Sequence, residues 1–287
     1  MESISNPVSF TKEGWVDYRR EKLAPPSSYE PFWWENFDWQ TWGEVGNRNK
    51  HYPVIISGVY IAIIFGLRAF MRNRKPFVLK RELVVWNGAL GLFSILGVIR
   101  VLPDLWGKIN RPNGLHYALC VKDDISIPMS FWAAAFVISK IVELGDTVFI
   151  VLRKKPLKFL QWFHHSVTLI STWNTGPYLE PIARFYIVIN YGVHSLMYPY
   201  FSLMALGVRI PRKAANVVTF LQLVQMLVGV TINLYTSYLY YFHASCYRHP
   251  FSIIMMWIVY GSFVVLFGDL FYRLVIKKKS DKCVKVE

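Results

Sequence analysis

The chain of 287 residues is 54% hydrophobic and only 17% charged. Soluble domains carry about a quarter of charged residues, so this composition excludes an ordinary soluble protein. The formal net charge is +14, but the Lys and Arg residues lie in short segments between apolar stretches instead of covering one surface. That distribution is typical of a membrane protein and argues against a nucleic-acid partner.

Seven apolar stretches approach the ~20 residues that a helix needs to cross a bilayer. The fourth is short and contains two histidines. The sequence therefore predicts an all-α membrane protein with seven transmembrane helices. We expect residues 1–52 to form a luminal or interfacial segment, 53–275 the transmembrane domain and 276–287 a basic cytosolic tail. In chain order the apolar stretches are 53–67, 83–99, 125–139, 159–173, 185–208, 214–242 and 250–268.

Positive charge alternates along the chain. Segments 174–181 and 243–249 together contain only one Lys or Arg residue, Arg248. The positive-inside rule then predicts a luminal N-terminus and a cytosolic C-terminus. Each basic cluster is either a topology anchor alone or also a site that attracts the phosphates of a cytosolic ligand. The clusters follow the first, third, fifth and seventh stretches, at 72–81, 153–158, 209–213 and 277–279.

The three cysteines divide between the two sides. Cys120 and Cys246 fall in segments that this topology places in the lumen, where a disulfide is permitted. The sequence leaves a Cys120–Cys246 disulfide and two unpaired thiols as open alternatives. Cys283 falls in the cytosolic tail, and we expect it to be a free thiol.

Polar side chains recur at helical spacing in four consecutive stretches. An ionisable group inside the membrane is energetically unfavourable, so it usually faces the bundle interior and marks function. We expect these four polar faces to meet in a shared interior, with the charges of the third stretch along one face of one helix. The residues are Lys140, Glu143, Asp146 and Thr147 in the third stretch, Gln161, His164 and His165 in the fourth, Asn190, His194 and Tyr198 in the fifth, and Thr219, Gln222 and Gln225 in the sixth.

Several of these groups have a structural alternative. Lys140 and Glu143 form either a packing ion pair or part of a site, and Gln222 and Gln225 are typical of hydrogen bonds between helices. We expect Arg100, near the end of the second stretch, to extend toward the membrane surface.

The adjacent His164 and His165, with His194 on the next stretch, are harder to explain by packing. A metal site is one alternative, because imidazole is a common ligand. Only three histidines lie in the apolar stretches, however, with no cysteine near them, so we expect no metal. The second alternative, which the pattern favours, is a neutral imidazole that attacks a thioester or accepts a proton.

Four motifs, in order, resemble those of the ELO fatty-acid elongases. Lys140–Thr147 resembles KxxExxDT, and Phe163-His164-His165 resembles the end of the histidine box HxxHH. Asn190–Tyr198 resembles NxxxHxxMY, and Thr219–Gln225 resembles TxxQxxQ. One departure is Gln161, which occupies the first position of the histidine box. Some members of the family carry glutamine there.

The resemblance implies a multi-pass enzyme of the endoplasmic reticulum membrane, a very-long-chain 3-oxoacyl-CoA synthase. It would condense malonyl-CoA with a long-chain acyl-CoA, without a cofactor, and release carbon dioxide and CoA. The implied fold is a six-helix barrel around a central helix that encloses an acyl tunnel. Implied partners are the 3-oxoacyl-CoA reductase, 3-hydroxyacyl-CoA dehydratase and enoyl-CoA reductase of the same cycle. A homo-oligomer is left open.

The resemblance also assigns residue roles. It implies an acyl-histidine intermediate on His164, with His165 and His194 in acid–base or orienting roles. Glu143 or Asp146 would orient a histidine, as carboxylates do in catalytic triads, and Gln161 completes the expected catalytic set. The expected substrate-binding residues are Lys140, Thr147, Asn190, Tyr198, Gln222, Gln225, Arg153, Lys154 and Lys155.

Two choices remain at this stage. Segments 143–147 and 190–194 resemble members that extend saturated and monounsaturated chains, whereas Gln161 resembles some that take polyunsaturated chains; we favour the former. The competing class is a seven-span receptor or a small-solute transporter. A receptor would not need the clustered ionisable groups, and a transporter built from repeats should show matching halves, which the sequence lacks.

Overall fold

The computed structural model describes residues 30–123, 125–243 and 245–277, and this part of the chain is helical. The first 29 residues of the expected N-terminal segment, and residues 278–287 of the expected tail with Cys283, lie outside it. The α-helices are α1 Trp39–Arg48, α2 Tyr52–Phe70, α3 Lys80–Ile109, α4 Gly114–Cys120, α5 Ile127–Val142, α6 Gly145–Leu152, α7 Phe159–Thr175, α8 Ala183–Leu206, α9 Arg212–Tyr238 and α10 Pro250–Phe271.

Local sequence explains where several helices begin and end. A proline lies in the first turn of α2, α5 and α10. Proline has no backbone N–H, and in the first turn an N–H would have no hydrogen-bond acceptor within the helix. The Ser126 hydroxyl accepts a hydrogen bond from the backbone N–H of Met129 and caps α5. Gly207 ends α8 at φ 88°, a left-handed conformation that glycine adopts without a steric penalty.

Four helices are long and apolar enough to cross a membrane: α2, α3, α9 with its π-helical end at His243, and α10. Their outward sides carry exposed apolar residues such as Ile63 of α2 and Val265 of α10, as expected for contact with lipid. The chain is therefore a multi-pass membrane protein. The predicted count of seven spans also needs α5–α6, α7 and α8, which are shorter or more polar.

Contacts between neighbouring helices form a closed circuit in the order α3, α8, α9, α10, α7 and α5, while α2 packs outside against α6 and α7. Helices α3 and α8 pack closely, since a Cβ at Gly97 would lie 2.7 Å from the Tyr191 ring. The expected central helix is not found in the described part of the chain. A cavity occupies the interior instead. Side chains of α5, α7, α8, α9 and α10 all line it.

The two ends of the bundle differ in chemistry. One end, the basic face, carries residues 71–79, 153–158 and 207–211. The other end, the disulfide face, carries Cys120 and Cys246, which form a disulfide with an S–S distance of 2.05 Å. Of the two alternatives for these cysteines, the bonded one is therefore found.

Ion pairs hold the disulfide face together. Glu180, before α8, accepts a 3.0 Å hydrogen bond from the Arg248 guanidinium. Arg184 of α8 pairs with Asp123 at 2.8 Å and with Asp104 of α3 at 3.5 Å. Burial raises the pKa of Asp123, but Arg184 and a neighbouring lysine outweigh burial and hold it below its usual value. These pairs join four segments at one end of the cavity.

A further ion pair anchors the N-terminal segment. The Glu35 side chain is fully buried and accepts 2.8 Å hydrogen bonds from Arg100 Nε and from Trp132 Nε1. Burial raises the pKa of Glu35, but these bonds and one from the Phe32 N–H hold it below its usual value. The expectation that Arg100 extends freely to the membrane surface is wrong, because it serves as the partner of this buried carboxylate.

The thiol state of the full chain tests the disulfide. Cys120 and Cys246 are blocked by their bond, so denatured protein should react with a maleimide at only one of its three cysteines. After reduction all three should react. Labelling of three cysteines without reductant would contradict the disulfide.

Glu35→Gln should destabilise the protein by about 3 kcal/mol, because it leaves the Arg100 charge without its buried partner. The lowered pKa of Glu35 means that its stabilisation is complete above the unfolded-state value of about 4.3 and is lost as the pH falls. The difference in melting temperature from wild type should therefore stay constant from pH 7 to about pH 5 and narrow below about pH 4.3. Glu30→Gln, at an exposed position, is the matched control; equal melting temperatures for Glu35→Gln and wild type would refute the anchor.

Candidate active site

The charged residues of the third apolar stretch lie at a break between two helices. Helix α5 ends at Val142, and α6 begins at Gly145. The backbone N–H groups of Asp146 and Thr147 bond three residues back, not four. Gly145 allows the Trp86 ring to pack directly against this break, because a Cβ there would lie 2.6 Å from the ring. The prediction of one continuous helix face is therefore wrong, and the break turns Glu143 and Asp146 toward different partners.

Glu143 belongs to a buried cluster with α5 and α8. Its carboxylate accepts a 2.7 Å hydrogen bond from the Lys140 ammonium, which also donates to Asn190 Oδ1 at 2.9 Å. His194 Nδ1 lies 3.8 Å from the same Glu143 oxygen, and His194 Nε2 lies 3.4 Å from the Asn190 amide nitrogen. All four residues are buried. The cluster neutralises one charge with another and orients the His194 ring.

Asp146 forms a second cluster. It accepts hydrogen bonds from Trp86 Nε1 at 2.6 Å and from the Tyr198 hydroxyl at 2.9 Å. His165 Nε2 lies 3.9 Å from Asp146. Thr147, one residue on, accepts a 2.7 Å hydrogen bond from the Tyr60 hydroxyl of α2. Helices α2, α3, α6, α7 and α8 therefore all contribute to the second cluster or its support.

His164 has different surroundings from the other two imidazoles. Its ring lies against two phenylalanines of α10, with ring centroids 4.6 Å from Phe263 and 5.5 Å from Phe267. Its Nδ1 is buried and has no hydrogen-bond partner within the described residues. A buried polar atom usually has a partner. An unpaired imidazole nitrogen against apolar rings is free to react with a bound molecule.

His164 lies at one end of a largely apolar cavity of about 340 Å³. Ligand-binding cavities are typically about 300–1,000 Å³. The α7 wall continues from His164 to Thr175, 11 residues, or about 16 Å at 1.5 Å per residue. At the far end the cavity is lined by Trp42 of α1 and by Glu180 at the disulfide face. The shape suits an elongated apolar ligand whose reactive end lies at His164.

Most of the wall surface is apolar, and several of the polar side chains in it form hydrogen bonds within the protein. Asn190 and Gln225 lie at the His164 end. Thr168 and Thr172 of α7 donate their hydroxyl protons to backbone carbonyls of their own helix, at 2.6 and 2.8 Å. The hydroxyl donors are thereby used internally, which keeps the wall compatible with a hydrocarbon chain.

Of the predicted site residues, His164, Asn190 and Gln225 line the cavity, and the other members of the two carboxylate–histidine clusters lie outside its walls. Gln161 Oε1 accepts a 3.0 Å hydrogen bond from the Lys158 N–H and caps the start of α7. Gln222 contacts the Met197 sulfur at 3.1 Å, between helices as the structural alternative predicts. Lys154 donates to the carbonyls of Arg72 and Arg74, both at 3.0 Å. Arg153 and Lys155 lie beside Lys154 on the basic face, outside the cavity walls.

Sequence reasoning missed the aromatic residues of the site. Trp86 donates a hydrogen bond to a residue 60 positions along the chain, and Tyr60 donates one to a residue 87 positions along. Phe263 packs on His164. Each is one apolar residue in an apolar helix, with no spacing pattern to distinguish it. The only signal is general: a buried Trp N–H or Tyr O–H usually needs a polar partner.

Comparison with known proteins places this site in a family. Residues 47–283 match the sequence profile of the ELO family, described as the GNS1/SUR4 family. Similar proteins of Drosophila melanogaster, Gallus gallus and Homo sapiens carry the name very long chain fatty acid elongase 6. The Drosophila melanogaster protein is 41% identical over 229 residues, 78% of this chain and 72% of its own.

The Gallus gallus protein is 40% identical over 234 residues, 81% of this chain and 87% of its own. The Homo sapiens protein is 39% identical over 234 residues, with the same coverage. The region that matches the family profile includes helices α2 to α10 and both carboxylate–histidine clusters. The chain therefore belongs to the ELO (GNS1/SUR4) family.

Proposed function

We propose that this protein is a fatty acid elongase, a 3-oxoacyl-CoA synthase that condenses malonyl-CoA with a long-chain acyl-CoA. The observation that carries the proposal is the unpaired His164 imidazole at one end of an elongated apolar cavity. Two carboxylate–histidine clusters beside it supply acid–base groups. Family membership, and the chemistry of His164 with the two clusters, support an enzyme over a receptor or a transporter.

In the first half-reaction, a neutral His164 imidazole attacks the acyl-CoA thioester. The C–S bond breaks, the ring proton leaves with the thiolate as CoA thiol, and an acyl-imidazole remains. In the second half-reaction, malonyl-CoA loses carbon dioxide, and the resulting enolate attacks the acyl carbon. The new C–C bond releases His164, which regains a proton, and the product is a 3-oxoacyl-CoA two carbons longer.

The neighbouring clusters manage charge and protons in these steps. His194, oriented by Glu143 at 3.8 Å, and His165, at 3.9 Å from Asp146, are positioned to move protons. Lys140 and Asn190 keep the Glu143 carboxylate in place. Gln161, as the cap of α7, acts on catalysis by fixing the start of the helix that carries His164.

The expected orientation follows from the two faces. With the basic face cytosolic and the disulfide face luminal, CoA would lie on the cytosolic side, with the acyl tail directed toward Trp42 and Glu180. Gln225 and Asn190 line the His164 end, beside the reacting thioester. Arg153, Lys155 and residues 209–213 would attract the CoA phosphates. Lys154 would act indirectly, because its ammonium joins two segments of the basic face.

The cellular setting proposed is the endoplasmic reticulum membrane. Seven spans, with the six-helix circuit as a barrel and α2 outside, would place the N-terminus in the lumen and the C-terminus in the cytosol. The product would pass to the 3-oxoacyl-CoA reductase, the 3-hydroxyacyl-CoA dehydratase and the enoyl-CoA reductase. Saturated, monounsaturated or branched chains are the proposed substrates.

His164→Ala should reduce two-carbon extension by roughly 10³-fold or more, as for removal of a nucleophile in other covalent enzymes. The measurement is incorporation of labelled malonyl-CoA by microsomes that express the chain, against a panel of acyl-CoAs. His116→Ala, on the short helix α4, is the matched control. Extension by His164→Ala at the wild-type rate would refute the nucleophile, and no extension by wild type with any acyl-CoA would refute the elongase.

Trp86→Phe should lower kcat about tenfold without changing the KM for acyl-CoA. It removes one hydrogen bond to the Asp146 carboxylate, worth about 1.5 kcal/mol, but leaves an aromatic ring against Gly145. Steady-state kinetics separate the two constants. Trp106→Phe, at an exposed position of the same helix, should match wild type. A change in KM alone would contradict the assignment of Trp86 as a positioning residue for Asp146.

A further inference from the structure

A second concave site lies on the basic face, away from His164. It is a groove between the end of α2 and residues 151–157, with a buried floor that includes Met71 and Val151. Four cationic side chains line it: Arg68, Arg72, Lys154 and Lys155. The groove combines an apolar floor with a net charge of +4, so its occupant should carry both apolar and anionic groups.

In the part of the chain that the structure describes, no carboxylate neutralises the cations of the groove. Within the described residues, Arg68, Arg72 and Lys155 make no ion pair with a carboxylate. The Lys154 ammonium is fixed by the carbonyls of Arg72 and Arg74, with its backbone at φ 52°. Unpaired cations around a groove favour a phosphate, which can accept several hydrogen bonds at once.

The groove faces lipid along one side. Helix α2 packs outside the helix circuit, and its Phe65 lines the groove while its side chain is 41% exposed. Arg68 follows Phe65 by three residues on the same face of α2, and Arg72 lies in the turn just after the end of that helix. The lining of the groove therefore changes from apolar to cationic side chains at the end of α2. At this depth the acyl chains of a bilayer meet the lipid headgroups.

The groove and the His164 cavity share no wall residue. If this groove held the phosphates of acyl-CoA, no continuous protein surface would connect them to His164. Basic pockets beside transmembrane helices are typical sites for anionic lipid headgroups. This favours a membrane lipid over acyl-CoA as the occupant.

We propose that this groove binds an anionic phospholipid. The headgroup phosphate contacts Arg68 and Arg72, and an acyl chain lies along Phe65 on the outer face of α2. The bound lipid bridges α2 and the segment before α7, the helix that carries His164.

Lipid retention by the full chain tests this proposal. The protein is purified from nanodiscs of phosphatidylcholine and phosphatidylserine in equal amounts, and bound lipid is identified by native mass spectrometry. Wild type should retain phosphatidylserine preferentially. Arg68→Gln with Arg72→Gln should weaken this retention on the order of 30-fold, the effect of losing two cations at an anionic membrane surface.

Two matched variants separate the groove from general surface charge. Lys80→Gln with Arg81→Gln removes two exposed cations at the start of α3, on the same face, and should retain the lipid. Arg68→Lys with Arg72→Lys keeps the charge and should retain it too. Equal retention of both lipids by wild type, or equal loss in the Lys80/Arg81 variant, would overturn the proposal. So would a raised KM for acyl-CoA in the Arg68/Arg72 glutamine variant with lipid retention unchanged, since the groove would then belong to CoA.

Discussion

The ion pair between Lys140 and Glu143, at 2.7 Å inside an apolar bundle, is the constraint on which the site depends. Neither charge is stable alone in this environment, because an unpaired buried charge would be strongly destabilising. Lys140 also reaches Asn190, so the pair joins the end of α5 to the middle of α8. That connection brings His194 beside Glu143 and fixes the wall of the cavity opposite α7.

The break between α5 and α6 gives the two carboxylates separate tasks. Glu143 faces Lys140 and His194, while Asp146 faces Trp86, Tyr198 and His165. On one continuous helix face, the two carboxylates would compete for the same partners. His164 has neither carboxylate as a hydrogen-bond partner, and its apolar surroundings leave a nitrogen free. In the proposed mechanism this contrast separates the nucleophile from the groups that move protons.

Rigidity is concentrated at the disulfide face. The disulfide, the Glu180–Arg248 pair, the Arg184–Asp123 pair and the buried Glu35 anchor all lie there. On the basic face, the Lys154 ammonium joins the segment before α7 to the segment after α2. In the proposed function, a fixed far end would limit the acyl tail. The basic face is where the CoA substrates would enter and where we infer a bound phospholipid.

The sequence by itself determined the membrane class, the helix positions and the ionisable residues of the site, because apolar length and a charge inside an apolar run are local properties. Lys140, Glu143, Asp146, His165 and His194 could be named in this way. Only the tertiary structure decided which groups meet: Trp86 with Asp146, Glu35 with Arg100, and Cys120 with Cys246 across 126 residues. It also decided the break at Gly145 and the cavity in place of a central helix. Helical periodicity reports which side of a helix a residue occupies, but the partner on that side depends on how distant helices pack.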